Sequence, residues 1–257
     1  MTSAAFDFSG RVVLVTGASR GIGAATAREF HAAGASVVLA ARSADRLGDV
    51  ASSLGERAVA IPTDVSDANA VDALVARTID TFGRLDIAIN NAAGGGHRPT
   101  PLADVGVDAF DSMIAASLRS VFLSMRAEIP ALLASGGGAI VNMSSTAGLQ
   151  GVGGIAGYVA AKHGIVGLTR SAAIDYAARG IRVNAVAPGP ILTDALERAG
   201  ERMQQRAGDS LPIGRIGTPA ECAAVMMWLC SDAASFVTGA TVPIDGGKLA
   251  GMTAYRG

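Results

Sequence analysis

The chain has 257 residues, half of them hydrophobic, with 21 Lys and Arg against 22 Asp and Glu. This length suits one α/β core, so we expect residues 1–257 to form a single domain. The near balance of charge and the lack of a basic run argue against nucleic acid as a partner.

The start of the chain lacks the features of a signal peptide, and no uninterrupted stretch offers the roughly 20 apolar residues that a membrane span needs. The two cysteines, Cys222 and Cys230, fall on one predicted helix, with a spacing that suits neither a disulfide framework nor a metal site. We therefore expect buried thiols, no metal, no membrane partner and a cytoplasmic location.

Short runs rich in Val, Ile and Ala alternate with longer amphipathic segments along the chain. This pattern predicts a doubly wound α/β fold, in which helices cover both faces of a parallel sheet. We expect residues 190–215, which follow the sixth strand, to be a mobile excursion over the site. The predicted strands are Arg11–Thr16, Ser36–Ala41, Ala58–Thr63, Leu85–Asn90, Ala139–Met143, Arg182–Ala187 and Thr241–Ile244. The predicted helices are Ile22–Ala33, Ala44–Leu54, Ala68–Phe82, Val107–Ala134, Ile155–Ala178 and Pro219–Cys230.

The first predicted strand runs into a glycine-rich turn, Thr16-Gly17-Ala18-Ser19-Arg20-Gly21-Ile22-Gly23. Backbone amides at the start of the following helix can face a pyrophosphate, and the helix dipole favours its negative charge. Glycines also serve ordinary tight turns, but a position between the first strand and a helix is the context that dinucleotide binding requires.

Tyr158 and Lys162 are four residues apart on a predicted helix, so their side chains share one face. Taken alone, this spacing describes an exposed tyrosine beside a solvated lysine. A tyrosine with a pKa near 10 exchanges protons poorly at neutral pH, and lowering that pKa by about three units takes roughly 4 kcal/mol. A nearby ammonium group supplies part of this free energy.

Four motifs occur in a fixed order: TGASRGIG at 16–23, NNAA at 90–93, Ser145, and YVAAK at 158–162. In this order, and from Gly10 to the IDGG at 244–247, the chain resembles the short-chain dehydrogenase/reductase family, in particular its 3-oxoacyl reductases. The resemblance implies a Rossmann-type sheet of seven parallel strands and a metal-free hydride transfer with a nicotinamide dinucleotide.

By the same resemblance, Tyr158 exchanges a proton with the carbonyl oxygen, and Lys162 holds the nicotinamide ribose and lowers the pKa of Tyr158. A serine hydroxyl hydrogen-bonds the substrate oxygen. Ser144 competes for this role, but the S-x-x-G pattern that begins at Ser145 favours Ser145.

The resemblance also assigns the cofactor site. Asp64 would bind the adenine amino group, and the backbone of Ile191 with the hydroxyl of Thr193 would hold the carboxamide. Asp64 and Asp67 can equally be helix caps, and Pro188-Gly189 can be turn punctuation. The assigned residues are Gly17, Ser19, Arg20, Gly21, Ile22, Gly23, Arg42, Asp64, Val65, Asn91, Ala92, Tyr158, Lys162, Pro188, Gly189, Ile191 and Thr193.

The end of the second predicted strand bears on the choice of cofactor. NAD sites place an acidic residue there for the ribose 2′-hydroxyl, whereas a 2′-phosphate needs a cation. Here Ala41 stands at the acidic position, Arg42 follows it, and Arg20 lies in the glycine turn. Both arginines can be ordinary surface charges, but their coincidence at this strand end predicts NADP over NAD.

The chain departs from the family pattern at two places. Ser117 stands where the family often has a catalytic asparagine, so we expect the proton relay behind Lys162 to be altered. In the segment Asn90–Gly94, the residues after the asparagine pair differ from those of the family pattern. We expect the effect of this difference to be small. His97, in the loop after the fourth strand, is a candidate for substrate contact.

These features predict an NADP(H)-dependent oxidoreductase that interconverts a small ketone or 3-oxoacyl group and a secondary alcohol. The alternatives are an NAD-dependent secondary-alcohol dehydrogenase and a dinucleotide-binding sensor with little turnover. The predicted helices Val107–Ala134 and Ile155–Ala178 either cover their own sheet or also bury their outer faces in a homodimer or homotetramer.

Overall fold

The computed structural model describes residues 6–94 and 98–251. Within them, seven parallel strands form one sheet in the order β3-β2-β1-β4-β5-β6-β7, which confirms the predicted doubly wound fold. The strands are β1 (Val12–Thr16), β2 (Ser36–Ala41), β3 (Ala58–Pro62), β4 (Ile87–Asn90), β5 (Gly138–Met143), β6 (Ile181–Pro188) and β7 (Thr241–Ile244).

Helices cover both faces of this sheet. Longer helices form the layers, and α7 and α8 lie in the excursion after β6. The helices are α1 (Gly21–Ala32), α2 (Ala44–Leu54), α3 (Ala68–Phe82), α4 (Val107–Met113), α5 (Ser120–Ala134), α6 (Ala156–Tyr176), α7 (Asp194–Arg198), α8 (Glu201–Asp209) and α9 (Pro219–Cys230). Across the described residues, no helix is both long and apolar enough to span a membrane.

The alternation of side chains along β1 shows how the two layers form. Val13 and Val15 are fully buried against the layer of α1, α2 and α9. Leu14, which points to the other face, is fully buried against α3, α5 and α6. Because successive strand residues face opposite sides, a strand covered on both faces needs an uninterrupted apolar run. The sequence of β1 meets this need.

The sheet order creates a crevice at the carboxyl end of β1. This strand pairs with β2 on one side and with β4 on the other. The strand order therefore runs from β1 to β2 and β3 on one side and to β4 on the other side. Ligands of open α/β sheets bind at such a switch point. The glycine turn follows β1 at this edge and Asn91 follows β4, so the fold brings both motifs to the crevice.

One predicted helix has a different geometry in the structure. The predicted helix Val107–Ala134 is helical throughout, but a π-helical segment, Ile114–Arg119, separates α4 from α5. An apolar pattern read at 3.6 residues per turn does not distinguish an i→i+5 turn from an i→i+4 turn. The span Val107–Ala134 is therefore confirmed as helical, with a π-helical turn that the pattern did not show.

The excursion after β6 contains two helices that the sequence did not predict. Residues 190–215 contain α7 and α8, and α8 is a polar helix whose residues are mostly exposed. The two ends of the excursion are tied together, because Leu192 N donates to Gly217 O at 2.8 Å and Gly217 N donates to Pro190 O at 3.0 Å. The excursion therefore leaves and rejoins the fold at one point.

Candidate functional site

A cavity of about 640 Å³ lies at the carboxyl ends of β1, β2, β3 and β4. Its volume is in the range of small-molecule and cofactor sites. Most of the predicted cofactor residues line it, whereas Gly23, Pro188, Gly189, Ile191, Tyr158 and Lys162 do not. The predicted residues that line it are Gly17, Ser19, Arg20, Gly21, Ile22, Arg42, Asp64, Val65, Asn91, Ala92 and Thr193.

The glycines of the turn are required by its backbone. Gly17 has φ +66°, and a Cβ atom there would lie 2.7 Å from the Asn91 side-chain nitrogen. A Cβ atom on Gly23 would collide with the Gly17 carbonyl oxygen, so Gly23 allows the start of α1 to approach β1 closely. The result is a backbone cradle at a helix N-terminus, and this fits the diphosphate of a dinucleotide.

Thr16 and Asn91 hold this cradle in place. The Thr16 hydroxyl oxygen accepts hydrogen bonds from the backbone N–H groups of Asn91 and Ala92, both at 3.1 Å. The Asn91 side-chain nitrogen donates to the carbonyl oxygens of Thr16, at 3.0 Å, and Gly17, at 3.2 Å. The Asn91 amide therefore fixes the glycine turn, and Thr16 is a supporting residue that the sequence analysis missed.

The two aspartates after β3 have different roles. Asp67 caps α3, because its carboxylate accepts from the backbone of Asn69 and Ala70. This confirms the capping alternative for Asp67. Asp64 lines the cavity and accepts from Ser66 N at 2.9 Å and from Ser66 Oγ at 2.7 Å. These bonds lower the pKa of Asp64, so it stays ionised near neutral pH.

Tyr158 and Lys162 lie on the first two turns of α6. The Lys162 ammonium nitrogen is 5.6 Å from the centre of the Tyr158 ring, and Lys162 is only 2% exposed. The same nitrogen donates to the carbonyl oxygen of Met143, the last residue of β5, at 2.7 Å. The lysine is therefore buried, and the alternative of an exposed tyrosine beside a solvated lysine is wrong.

The structure separates the two candidate serines. Ser144 is buried, and its hydroxyl donates to the Lys162 carbonyl oxygen at 3.0 Å, which joins β5 to α6. The Ser145 side chain lies near enough to Tyr158 to act on its pKa, and the Ser145 hydroxyl oxygen accepts from Ala147 N at 3.1 Å. Ser144 thus has a structural bond, whereas the hydroxyl groups of Ser145 and Tyr158 lie together.

Burial determines the pKa of both members of the α6 pair. It raises the pKa of Tyr158, and the nearby Ser145 hydroxyl opposes this shift. It lowers the pKa of Lys162 to about 8, because a buried ammonium loses its hydration. The chain's own groups therefore shift the pKa of Tyr158 upward, the opposite of the direction expected from the sequence.

Ser117 is fully buried within the π-helical segment Ile114–Arg119. Its hydroxyl donates to the Met113 sulfur at 3.4 Å. The end of α4 and this segment pack along α6, because a Cβ atom on Gly157 would lie 3.4 Å from Met113 and one on Gly164 would lie 2.7 Å from Leu118. The residue at the family's asparagine position is thus beside the helix that carries Tyr158 and Lys162.

The histidines add little to the site. His97 lies outside the described residues. His31 Nε2 is 2.8 Å from the Glu56 carbonyl oxygen, and His163 is exposed, with Nδ1 at 2.9 Å from the Val159 carbonyl oxygen.

Two charged residues of the cavity, Arg46 and Asp194, were missed by the sequence analysis. Arg46 follows Arg42 by four residues, a spacing that could have indicated it. Asp194 carries no such signal, because the excursion after β6 brings it to the cavity.

Known proteins are similar to this chain in both sequence and fold. A family model described as enoyl-(acyl carrier protein) reductase matches residues 17–248. The chain is 42% identical over 242 residues to a cyclohexanol dehydrogenase of Acinetobacter sp. (strain SE19), covering 93% of this chain and 95% of that protein. It is 43% identical over 245 residues to a cis-4-hydroxycyclohexanecarboxylate dehydrogenase of Sinomonas cyclohexanicum, covering 95% and 98%.

The crystal structure of a levodione reductase superposes with a TM-score of 0.90 at 37% identity, covering 96% of this chain and 100% of that one. The motif order, the sheet topology and these likenesses agree along almost the whole chain. The chain belongs to the short-chain dehydrogenase/reductase family.

Proposed function

We propose that this protein is an NADP(H)-dependent oxidoreductase that interconverts a ketone and a secondary alcohol. The observation that carries the proposal is the buried ammonium of Lys162, 5.6 Å from the centre of the Tyr158 ring, with the Ser145 side chain near the same tyrosine. These three groups lie at the same sheet edge as a cavity whose glycine cradle fits a dinucleotide.

The chain's own groups suit proton transfer at an oxygen atom. Tyr158 Oη donates a proton to the carbonyl oxygen in reduction and accepts one from the hydroxyl in oxidation, while the Ser145 hydroxyl holds that oxygen. Lys162 places a positive charge beside the phenol and would bind the nicotinamide ribose. The nicotinamide, when bound, supplies or accepts the hydride.

The arginines at the end of β2 support NADP as the cofactor. Ala41 stands where an NAD site has an acidic residue, and Arg20 and Arg42 both line the cavity there. The rival is an NAD-dependent secondary-alcohol dehydrogenase. Titration with Arg42→Ala separates the two, because NADP affinity drops and NAD affinity stays the same under our proposal.

The relatives support a cyclic secondary alcohol as the substrate class. The names of two of them, cyclohexanol dehydrogenase and cis-4-hydroxycyclohexanecarboxylate dehydrogenase, specify a hydroxyl group on a six-membered carbocycle. We therefore rank cyclic ketones above open-chain ketones and 3-oxoacyl thioesters. We also propose a cytoplasmic location, which suits the free buried thiols of Cys222 and Cys230.

The test is turnover with NADPH on a panel of cyclic ketones, open-chain ketones and 3-oxoacyl thioesters. Tyr158→Phe removes the transferred proton, so we expect turnover to fall by a factor of about 100 or more. Tyr176→Phe, farther along the same helix, is the matched control and should keep wild-type turnover. Full activity of Tyr158→Phe would exclude the proposed role.

The sensor alternative rests on Ser117 at the family's asparagine position. It predicts tight NADPH binding by the wild-type protein with no turnover on any carbonyl of the panel. The intact set of Ser145, Tyr158 and Lys162 argues against this outcome.

A further inference from the structure

Three arginines surround one part of the dinucleotide cavity. Arg20 precedes α1, Arg42 follows β2, and Arg46 lies in the first turn of α2; all three line the cavity. Two of them, Arg20 and Arg42, follow the sequence pattern for a 2′-phosphate site. Arg46 is brought to the same place because α2 starts directly after the strand end that carries Arg42.

Asp194, the first residue of α7, lies opposite two of these cations. A single carboxylate oxygen, Oδ2, is 3.4 Å from Arg20 Nη1 and 3.9 Å from Arg46 Nη1. The side chains of Arg20 and Arg46 are half exposed, at 52% and 58%. Ion pairs that are this long and this exposed are weak, so a stronger anion can replace the carboxylate readily.

We propose that Arg46, together with Arg20, binds the 2′-phosphate of NADP, and that this phosphate displaces Asp194 from the two arginines and releases the first turn of α7. The inference rests on the NADP preference proposed above. It makes Arg46 a residue that determines cofactor specificity, and it links the identity of the cofactor to the excursion at residues 190–215.

The charges explain why a phosphate would displace the carboxylate. A phosphate monoester carries a charge of about −1.5 to −2 and three acceptor oxygens, whereas Asp194 offers one negative charge to two guanidinium groups. Arginine presents several N–H donors in a planar fork that matches a phosphate. NAD carries an uncharged hydroxyl at this position and would leave the contacts of Asp194 unchanged.

The displacement would be felt in the excursion because Asp194 is its first helical residue. The preceding residue, Thr193, lies against the glycine turn, since a Cβ atom on Gly21 would be 3.4 Å from the Thr193 side chain. Residues 193 and 194 therefore connect the excursion to the cradle, and the ion pairs of Asp194 are part of that connection.

The experiment compares two probes, adenosine 2′,5′-bisphosphate and adenosine 5′-monophosphate, which differ in the 2′-phosphate alone. Their dissociation constants are measured by calorimetry at one fixed ionic strength, because charge contacts weaken with salt. The variants are Arg46→Gln and Asp194→Asn. The matched control is Arg28→Gln, an exposed arginine of α1 that does not line the cavity.

We expect Arg46→Gln to weaken binding of the bisphosphate about tenfold and to leave binding of the monophosphate unchanged. Asp194→Asn removes the competing carboxylate, so it should tighten binding of the bisphosphate by about threefold. The control Arg28→Gln should alter neither constant. An unchanged ratio of the two affinities in Arg46→Gln, or an unchanged bisphosphate affinity in Asp194→Asn, would overturn the inference.

Hydrogen exchange gives a second readout that does not depend on turnover. The backbone amides of residues 194–198 should exchange faster with the bisphosphate bound than with the monophosphate bound. Equal exchange with both probes would contradict the release of α7. If the wild-type protein binds both probes equally, the NADP preference is itself wrong and this inference fails with it. If the wild-type protein prefers the bisphosphate but Arg46→Gln keeps that preference, only this inference fails.

Discussion

At the scale of single residues, Lys162 combines a functional position with a charge that is unfavourable to bury. Its ammonium is almost wholly enclosed and donates to the Met143 carbonyl oxygen, and burial lowers its pKa to about 8. An ammonium held inside the protein without a carboxylate partner opposes folding by several kcal/mol. Titratable groups in such environments are common at functional sites, and the neighbouring Tyr158 agrees with this interpretation.

Lys162→Met should therefore make the protein more stable and inactive. The folded state has the lower pKa, so Lys162 opposes folding by up to about 3 kcal/mol below pH 8, and less as the pH rises towards the unfolded pKa of 10.5. Because the substitution also removes the bond to Met143, we expect the free energy of unfolding to rise by about 1–2 kcal/mol at neutral pH, and this gain should shrink above pH 8. Urea unfolding at several pH values measures this.

Lys248→Met is the control for Lys162→Met and is measured at the same pH values. Turnover of Lys162→Met should fall by a factor of about 100 or more. A loss of stability at neutral pH would contradict the account of the buried charge.

At the scale of elements, the π-helical segment Ile114–Arg119 shapes the side of α6 that carries the site. Leu118 packs on Gly164 and Met113 packs near Gly157, the residue before Tyr158. Single π turns inside α-helices are frequent at functional sites. In this chain a serine, Ser117, stands in the segment at the family's asparagine position. The hydroxyl of that serine bonds a sulfur atom, which is a weak acceptor.

We expect Ser117→Ala to keep turnover within about threefold of wild type, far from the 100-fold loss typical of a lost acid or base. The physical reason is that the Ser117 hydroxyl is already bonded to Met113 and fully buried. Ser120→Ala, which loses a bond of 2.9 Å to the Ala116 carbonyl oxygen, is the comparison in the same helix. A tenfold or larger loss in Ser117→Ala alone would show that this hydroxyl serves the proton relay.

A buried polar network joins the elements beneath the site. The Asn90 side chain of β4 donates to Glu128 of α5 and to Asn142 of β5, both at 3.0 Å. The Asn142 side chain in turn donates to Thr169 of α6, also at 3.0 Å. Burial raises the pKa of Glu128 to about 7. Among the described residues, the buried Asn90 side-chain oxygen has no hydrogen-bond partner.

Glu128→Gln should become increasingly stabilising, relative to wild type, as the pH rises from 4.5 to about 7. In this window the carboxyl group of the unfolded state ionises while that of the folded state keeps its proton. The wild type therefore loses up to about 3 kcal/mol of its free energy of unfolding, and the glutamine variant does not. Urea unfolding at pH 5, 6 and 7 measures the difference, with exposed Glu56→Gln as the control. A difference that does not depend on pH would refute the raised pKa.

At the scale of the whole molecule, the sheet order brings the site together and leaves one large exposed apolar side chain on each of two covering helices. Phe122 on α5 is 49% exposed, and Ile174 on α6 is 82% exposed. Both helices already bury their inner faces against the sheet. Large exposed apolar side chains on neighbouring helices favour association, and we propose a homodimer or homotetramer on this ground.

The double variant Phe122→Glu with Ile174→Glu should elute from a sizing column as a smaller species than the wild type. Burying the two charges at an interface would oppose association. Leu102→Glu, which alters an exposed leucine outside these helices, should leave the elution volume unchanged. A monomeric wild type would show that the two helices cover their own sheet alone.

The sequence by itself determined the parts that depend on local pattern. Runs such as that of β1 predict strands covered on both faces, and Gly17 marks a backbone conformation that other residues adopt with strain. The spacing of Tyr158 and Lys162 on one helix placed them on one face before any contact was known. The order of the motifs was sufficient to predict the family.

Only the tertiary structure decided which distant groups meet. It assigned Ser144 to the Lys162 carbonyl oxygen and Ser145 to Tyr158, and it brought Asp194 to Arg20 and Arg46. It also reversed the expected direction of the Tyr158 pKa, because burial and not the lysine dominates. Each of these results depends on packing between elements far apart in the chain, and a pattern of neighbouring residues carries no information about such contacts.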